Sequence, residues 1–331
     1  MKTVCVLPGD GIGPEVIGSA EKILVASSNS IEFVRGDIGE SSFKKYGTYL
    51  TKDTLGLMKS CDSCLFGAVT SKEAPDYDSP VLRFRKELDL YANLRPVRTL
   101  VRMPTREPID VVIIRENSEG MYTQNEVYDD KGVTTMRRVS KLACERIVSF
   151  AIGQARKSMR RKITCVHKAN VLRASDGLFL TIFRDMMRSD GKGLTASEQL
   201  VDSAAMRLLT EPSSFDVIVT LNLYGDILSD VAAGVAGGLG FAPSGNIGPK
   251  FSVFEPAHGS APDIMGKGVA NPTAATLAGA MMLRHLGLQK DAETVEHAVG
   301  DFYASGHLTV DLGGRHGSES FTDHVVKSIR R

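Results

Sequence analysis

Short apolar runs bounded by turn residues recur along the chain and alternate with longer segments of helical period. Residues 3–7 (TVCVL) lead into PGDGIG, and Pro14 then opens PEVIGSAEKILVA, where Val16, Ile17, Ala20, Ile23 and Leu24 share one helical face. That order predicts a strand, a glycine turn and a helix. Apolar runs at 31–34, 64–69, 111–114, 163–166 and 216–221 repeat the alternation, which predicts an α/β class with a largely parallel sheet. Residues 142–159 carry Ala143, Ile147, Ala151, Ala155 and Met159 at helical spacing, and 273–288 are apolar on nearly every side, as in a buried helix. The small residues of 227–239 allow close helix approach. Residues 121–139 break the rhythm: MYTQNEVY and VTTMRRV flank DDKG, which predicts a protruding β-hairpin arm. Such an arm is marginal alone, so a second copy of the chain is its expected support. Residues 254–274, with glycines 259, 266 and 268 and prolines 256, 262 and 272, read as a loop.

Composition narrows the field. The 331 residues suffice for one large or two interlocked domains, and no repeat or linker separates two halves, so interleaved domains are expected. Forty basic and 39 acidic residues leave a net charge of +1, too little for non-specific attraction to nucleic acid or a membrane surface. No apolar run approaches the roughly 20 residues of a membrane span. Five cysteines, and a first segment that reads directly into a strand, give the expectation of a reducing, cytoplasmic setting.

Several groups could carry chemistry. Gly9, Gly11 and Gly13 follow a strand and precede a helix, where bare backbone amides could approach a phosphate. The dinucleotide fingerprint wants its third glycine where Pro14 stands, so an ordinary Rossmann turn fails on spacing, and a purely structural turn is the alternative. Arg85, Arg95 and Arg115 could grip carboxylates through forked, charge-assisted bonds, or simply pair with Glu87, Asp89 or Glu116. Asp226 and Asp230, one helical turn apart, and Asp202 offer oxygen ligands to a hard divalent ion such as Mg²⁺ or Mn²⁺. The plain alternative is a helix cap and a solvated residue. Tyr122 and Lys168 could move protons if nearby cations lower their affinity for them. Asp263 could accept from ribose hydroxyls and repel a phosphate, or serve only as a turn residue after Pro262. Cys61 and Cys64 lack a second metal-ligating pair, and ARKSMRRK (155–162) sits where positive charge suits a helix end, so neither is taken as a site.

Taken together, LPGDGIGPE, LDLYANLRPVR, RENSEGMY, HKANVLR, YGDILSD and FEPAHGSAPDI, in this order between residue 3 and about 322, resemble the isocitrate and isopropylmalate dehydrogenase family. The resemblance implies a fold distinct from the Rossmann fold, with two interleaved α/β domains around a cleft: 1–91 with 237–331 on the cofactor side, and 92–236 for substrate, metal and dimerisation. It implies a homodimer, possibly a dimer of dimers, in which the arm clasps and the helices near 176–189 and 227–239 pack on the partner.

Residue by residue, the resemblance makes Tyr122 a proton donor and Lys168 a base. Arg85, Arg95 and Arg115 become the substrate clamp, with Asn170 nearby, and Asp202, Asp226 and Asp230 the metal carboxylates. Lys168 and Asp202 would serve the other subunit's site. Ile12, Glu255, His258, Gly259, Ser260, Ala261, Asp263, Ile264, Asn271 and Asp311 would hold NAD, since Asp263 and Ile264 stand where NADP-using relatives place a lysine and a tyrosine. The expected substrate is a small 2-hydroxy di- or tricarboxylate. Isocitrate enzymes of the family put a serine and an asparagine where this chain has Ser79 and Val81; Val81, Leu82 and Val171 would instead form an apolar wall for the isopropyl group of 3-isopropylmalate, on the route to leucine. Homoisocitrate, whose acidic arm could reach Arg83 or Ser79, and then isocitrate are the alternatives. A noncatalytic regulatory subunit is the reading of another class, and the retention of every motif residue speaks against it.

Overall fold

The computed structural model describes residues 1–74, 77–101 and 107–331. The chain forms two compact units, Met1–Leu88 with Gly237–Arg331, and Asp89–Ala236. The first unit begins with β1 (Lys2–Gly9), α1 (Gly13–Ser27), β2 (Ile31–Arg35), α2 (Glu40–Tyr46), α3 (Lys52–Ser60), β3 (Ser63–Ala68) and α4 (Pro80–Glu87). The second contains β4 (Ala92–Arg98), β5 (Asp110–Glu116), β6 (Glu126–Asp129), β7 (Gly132–Thr135), α5 (Lys141–Lys157), β8 (Lys162–His167), α6 (Ser175–Ser189), β9 (Thr195–Leu200), α7 (Val201–Thr210), β10 (Val217–Thr220) and α8 (Asn222–Ala236). The chain then completes the first unit with β11 (Pro243–Ile247), β12 (Ser252–Pro256), α9 (Thr273–His285), α10 (Gln289–Ala304) and α11 (Ser318–Ile329).

The strands of the first unit run β2-β1-β3-β12-β11, parallel except for the β11–β12 pair. Those of the second run β4-β5-β10-β8-β9, parallel except for β4 against β5. The predicted apolar strands are all present. Continuous runs such as Val4–Leu7 and Val111–Ile114 are buried on both faces because helices cover both sides of a parallel sheet. The pattern missed β4, β9 and β11, whose sequences ANLRPVR, TASEQL and PSGNI carry polar residues or proline, and it read the end of β12, from Phe254, as loop.

Helix boundaries follow local chemistry. Pro14 sits in the first turn of α1, where its missing N–H costs nothing. Ser140 caps α5 by accepting from Ala143 N at 3.2 Å. Helix α9 buries Ala274, Ala275, Ala278, Ala280, Met282 and Leu283 because α1, α10 and the strands β11 and β12 surround it. Each fully buried large side chain of this kind stabilises by roughly 1.5–3 kcal/mol. The regular strands of the arm are shorter than expected: Met121–Thr123 form a 3₁₀ turn, β6 and β7 pair across a two-residue loop at Asp130 and Lys131, and an isolated bridge joins Gly120 to Arg138. Val127, Tyr128 and Val133 on it are exposed.

The lone CxxC and the basic segment both have structural surroundings. Cys64 is buried opposite Cys5 in the β1–β3 register, all five thiols are free, and burial pushes the Cys64 thiol well up. In the basic segment, Arg160 is bound by Asp216 at 2.9 Å and by Asp110. Among the described residues no helix is long and apolar enough to cross a membrane.

Candidate active site

Strand β4 carries Arg95 and β5 carries Arg115, and both guanidinium groups are buried. Burying such a cation demands paired partners, and α8 provides them. Arg95 donates from Nη1 to Ser229 Oγ at 2.6 Å and reaches Asp226 Oδ1 and Asp230 Oδ1, each at 3.4 Å, while its Nε donates to Asn93 Oδ1 at 2.7 Å. Arg115 pairs through Nη1 with Asp226 Oδ1. The Tyr122 hydroxyl donates to the other oxygen of Asp226, and the Arg115 Cζ lies 4.8 Å from the Tyr122 ring centroid. Of the neighbours the sequence offered, Asp89 pairs with Arg146 at 2.8 Å and Glu116 accepts from the amides of Ser118 and Glu119. Asp226 lies within α8 and is not its cap.

Glycine is required at 225. A Cβ there would come within 2.6 Å of Arg115 Cβ and Cγ, so α8 can seat on the Arg115 stem only without a side chain at this position. Asp226 and Asp230 project along one face as their spacing predicts. Burial, and then the charge of Asp226, raise the proton affinity of Asp230, while Arg95 and Arg115 oppose the rise. Two aspartates and two arginines sum to zero, so the cluster is neutral by itself.

Lys168, just past β8, instead pairs with Asp202 in the first turn of α7, with Nζ 2.7 Å from Oδ1. The lysine holds the Asp202 carboxyl below its ordinary range. Buried Asp176 anchors the lysine backbone by accepting from Lys168 N at 2.7 Å and is itself paired with Arg137 at 2.5 Å. The three metal candidates are thus not brought together within one chain: among the described residues no group of three His, Cys, Asp or Glu side chains could hold a metal ion. Asn170 and Val171, on the segment after Lys168, are exposed.

In the first unit, Arg85 in the last turn of α4 pairs with Glu255 on β12 at 3.2 Å, and Glu255 also accepts from Asn246 at 2.7 Å. Arg85 Nε is buried with no hydrogen-bond partner among the described residues. Ser79 caps α4 by accepting from Leu82 N at 3.4 Å, a local role the sequence reading did not assign it; Val81 and Leu82 follow in the first turn, half-buried. Arg83 donates to Leu50 O at 2.9 Å.

The glycine turn has the bonding of the structural alternative. Three of its amides are engaged within the protein: Asp10 N donates to Ala68 O at 2.7 Å, Ile12 N to Ser260 O at 2.8 Å and Gly13 N to Asp10 O at 2.9 Å. A Cβ on Gly11, whose φ is +57°, would sit 1.9 Å from Ser260 O. The turn is therefore a clasp that fixes Ile12 against Ser260. Asp10 extends it by accepting from Glu40 N at 2.7 Å and Thr70 N at 2.9 Å, and Thr70 donates to Ser260 Oγ at 2.8 Å.

Around this clasp lie most of the cofactor candidates. His258 shares Nδ1 with Gly259 O at 3.0 Å, and its Nε2 is buried with no partner among the described residues. Burial lowers the proton affinity of this ring. Ala261 adopts a left-handed φ of 37°, and Asp263 and Ile264 lie in a 3₁₀ turn with Asp263 exposed. Asn271 donates to Asp311 at 3.0 Å and to Thr309 at 3.2 Å, tying the two strand-distant candidates together.

Sequence reasoning missed Asp10, Asp176, Asn222 and Ser229. Asp10 stood inside a motif already singled out, but a buried carboxylate serving backbone amides leaves no spacing signature.

Comparison with known proteins shows the family. The family model described as isocitrate/isopropylmalate dehydrogenase matches residues 3–329. An isocitrate/homoisocitrate dehydrogenase of Thermus thermophilus is 45% identical over 330 residues, covering 99% of this chain and 98% of the relative. A 3-isopropylmalate dehydrogenase of Methanothermobacter thermautotrophicus is 43% identical over 327 residues, covering 98% of each. The crystal structure of an isocitrate dehydrogenase from Methylococcus capsulatus superposes with a TM-score of 0.96 at 37% identity, covering 100% of both chains. The chain therefore belongs to the isocitrate/isopropylmalate dehydrogenase family, and it is a β-decarboxylating dehydrogenase.

Proposed function

We propose that this chain oxidises and decarboxylates a 3-substituted malate with NAD⁺ and Mg²⁺ or Mn²⁺, and that its substrate is 3-isopropylmalate. The observation that carries the reading is the Arg95–Arg115–Asp226–Tyr122 cluster: two buried guanidinium groups beside a carboxylate pair and a phenol. Those groups suit a substrate with two carboxylates and a carbon to be protonated.

The residues fit the groups the family uses. Asp226 and Asp230 supply oxygen donors only, and the raised proton affinity of Asp230 marks a carboxylate that a cation would relieve. The third carboxylate, Asp202, is held with Lys168, which supports a homodimer whose second copy brings both to the site. The exposed apolar arm and the exposed Leu178 on α6 and Ile227 on α8 suit the same assembly. For the dinucleotide, the unpartnered His258 Nε2 and the exposed Asp263 carboxylate fit an adenosine whose ribose carries hydroxyls and no phosphate.

Asp226 and Asp230 would hold the divalent cation, which would supply positive charge to stabilise an oxyanion, and the dinucleotide would supply the hydride acceptor. Arg85, Arg95 and Arg115 hold the substrate carboxylates and orient C2. Lys168 Nζ, directly or through water, takes the proton of the 2-hydroxyl as hydride leaves C2. The bond from C3 to its carboxylate then breaks to release CO₂, and the electron pair remains as an enolate. The Tyr122 hydroxyl gives its proton to C3, which completes 4-methyl-2-oxopentanoate when the substituent is isopropyl.

Val81 and Leu82 favour the isopropyl group, since a carboxylate against them would be poorly solvated. Homoisocitrate is the second reading: Arg83 lies next to these residues with a partly exposed cation, and relatives of this chain carry that name. A panel of 3-isopropylmalate, homoisocitrate, isocitrate and malate, assayed with NAD⁺ and Mg²⁺ for NADH and CO₂, tests both. The expected result is the highest kcat/KM with 3-isopropylmalate. Activity with isocitrate alone removes the apolar-wall argument, and no coupled release of NADH and CO₂ from any of them removes the reading.

A further inference from the structure

Asn222 belongs to none of the groups above, yet it touches two of them. It opens α8 and is buried. Its Oδ1 accepts from both donors on one edge of Arg115, Nε at 3.0 Å and Nη2 at 2.8 Å, which leaves Nη1 for Asp226. Its Nδ2 donates to Glu119 O at 2.9 Å. Glu119 precedes Gly120 and the 3₁₀ turn that presents Tyr122, and this peptide is anchored from its other side as well, since buried Glu116 accepts from Ser118 N at 2.6 Å. One helical turn beyond Asn222, Asp226 meets Arg115 and the Tyr122 hydroxyl. Residues i and i+4 of α8 therefore hold the arginine and the tyrosine turn from the same helix face.

We infer that Asn222 is a positioning residue that sets the Arg115 fork and the Tyr122 turn in one fixed relation, while adding no second negative charge beside Arg115. This rests on the proposed roles of Arg115 as carboxylate clamp and Tyr122 as proton donor. The residue type follows from the two tasks. An amide can accept from a guanidinium and donate to a carbonyl at once, and it is neutral. A carboxylate would bind Arg115 but would turn a neutral cluster net negative against an anionic substrate, and would face Glu119 O without a proton to donate. A serine is too short to span both.

The test compares Asn222→Asp, which is near-isosteric, and Asn222→Ser with wild type and with Arg115→Lys, using the hydroxy acid that wild type turns over fastest. In both Asn222 variants, kcat/KM for the hydroxy acid should fall by about tenfold or more, the loss expected when a hydrogen bond to a charged group is broken. The KM for NAD⁺, which is set by the other unit, should stay within about twofold. The double variant Asn222→Ser with Arg115→Lys should fall little below Arg115→Lys alone, because the two residues act as one device. An unchanged kcat/KM in the folded variants, a parallel rise in the KM for NAD⁺, or strict additivity each overturns the inference.

A measurement on the unaltered protein covers the case in which neither variant folds. With ¹⁵N-labelled arginine, the Nε–H signal that Arg115→Lys removes should exchange slowly with solvent, and rapid exchange overturns the inference. An inactive wild type, or an Arg115→Lys variant with full activity, would instead strike the functional reading and leave the exchange result to judge Asn222.

Discussion

The two units treat buried charge differently. In the second unit, Arg95 and Arg115 are matched to Asp226, Asp230, Asn93, Asn222 and Ser229, and the cluster is neutral. In the first unit, Arg85 has one buried nitrogen without a partner among the described residues, as does His258. A closed network resists rearrangement and holds reacting groups in place. Unfilled donors or acceptors cost stability until a ligand meets them. The contrast suggests chemistry organised in advance by the second unit and ligand capture by the first.

The sharpest way to break that contrast is to remove an arginine from each unit. Arg115→Ala should cost about 3–5 kcal/mol in a denaturant titration, because it removes the double donor to buried Asn222 and leaves Asp226 only its longer pairing with Arg95 among its ion pairs described above. Arg85→Ala should cost less, about 1–3 kcal/mol, since Glu255 keeps Asn246. Equal losses would erase the distinction.

Next in size is a pair of glycines. Gly225→Ala should lose about 1–3 kcal/mol by overpacking against the Arg115 stem, and should lower turnover with it. Gly259→Ala, whose added methyl meets nothing within 4 Å, should shift the unfolding midpoint by no more than about 0.5 kcal/mol equivalent.

Asp263→Lys should leave stability unmoved but shift the NADP⁺/NAD⁺ ratio of kcat/KM upward by about tenfold or more, as an unfavourable charge contact becomes a favourable one. An unchanged ratio would remove Asp263 from the cofactor site.

The smallest effect is proton-linked. Burial lowers the proton affinity of His258, and of His316 on the loop before α11, where His307, His324 and Arg315 add to the burial effect. A histidine whose folded pKa is depressed gives stability that is complete above the unfolded value of about 6.5 and is lost as pH falls toward the folded one. The unfolding midpoint should therefore decline as pH drops below about 6.5, and His316→Asn should flatten part of that decline. An identical slope in the variant would show that His316 is not linked to folding.

Legibility in the sequence tracked the range of the interaction. Strands β1, β3, β5, β8 and β10 announced themselves because a strand covered on both faces is continuously apolar. Strand β4 did not, since Asn93 and Arg95 occupy its buried positions, and β9 did not, since TASEQL is polar and half-exposed. The arginines stood out as cations in apolar surroundings, and the i, i+4 aspartates stood out by spacing. Their partners did not: Asn222 is 107 residues from Arg115, and Ser229 is 134 from Arg95. The glycine turn showed its conformation but not its purpose, because whether an amide faces a ligand or Ser260 O depends on a segment about 250 residues away.

From its sequence alone this protein disclosed its class, the alternation of its elements, the residue types able to grip an anion or a hard cation, and the family those motifs share. All of these rest on periodicity and local chemistry, which neighbouring residues encode. Only the tertiary structure decided that Arg115 is held by Asn222, that Asp202 is bound to Lys168 and stands apart from Asp226 and Asp230, and that the glycine turn is a clasp. Each of those outcomes depends on which distant donor meets which acceptor, and a buried polar group takes whichever partner the packing of the fold brings within about 3 Å.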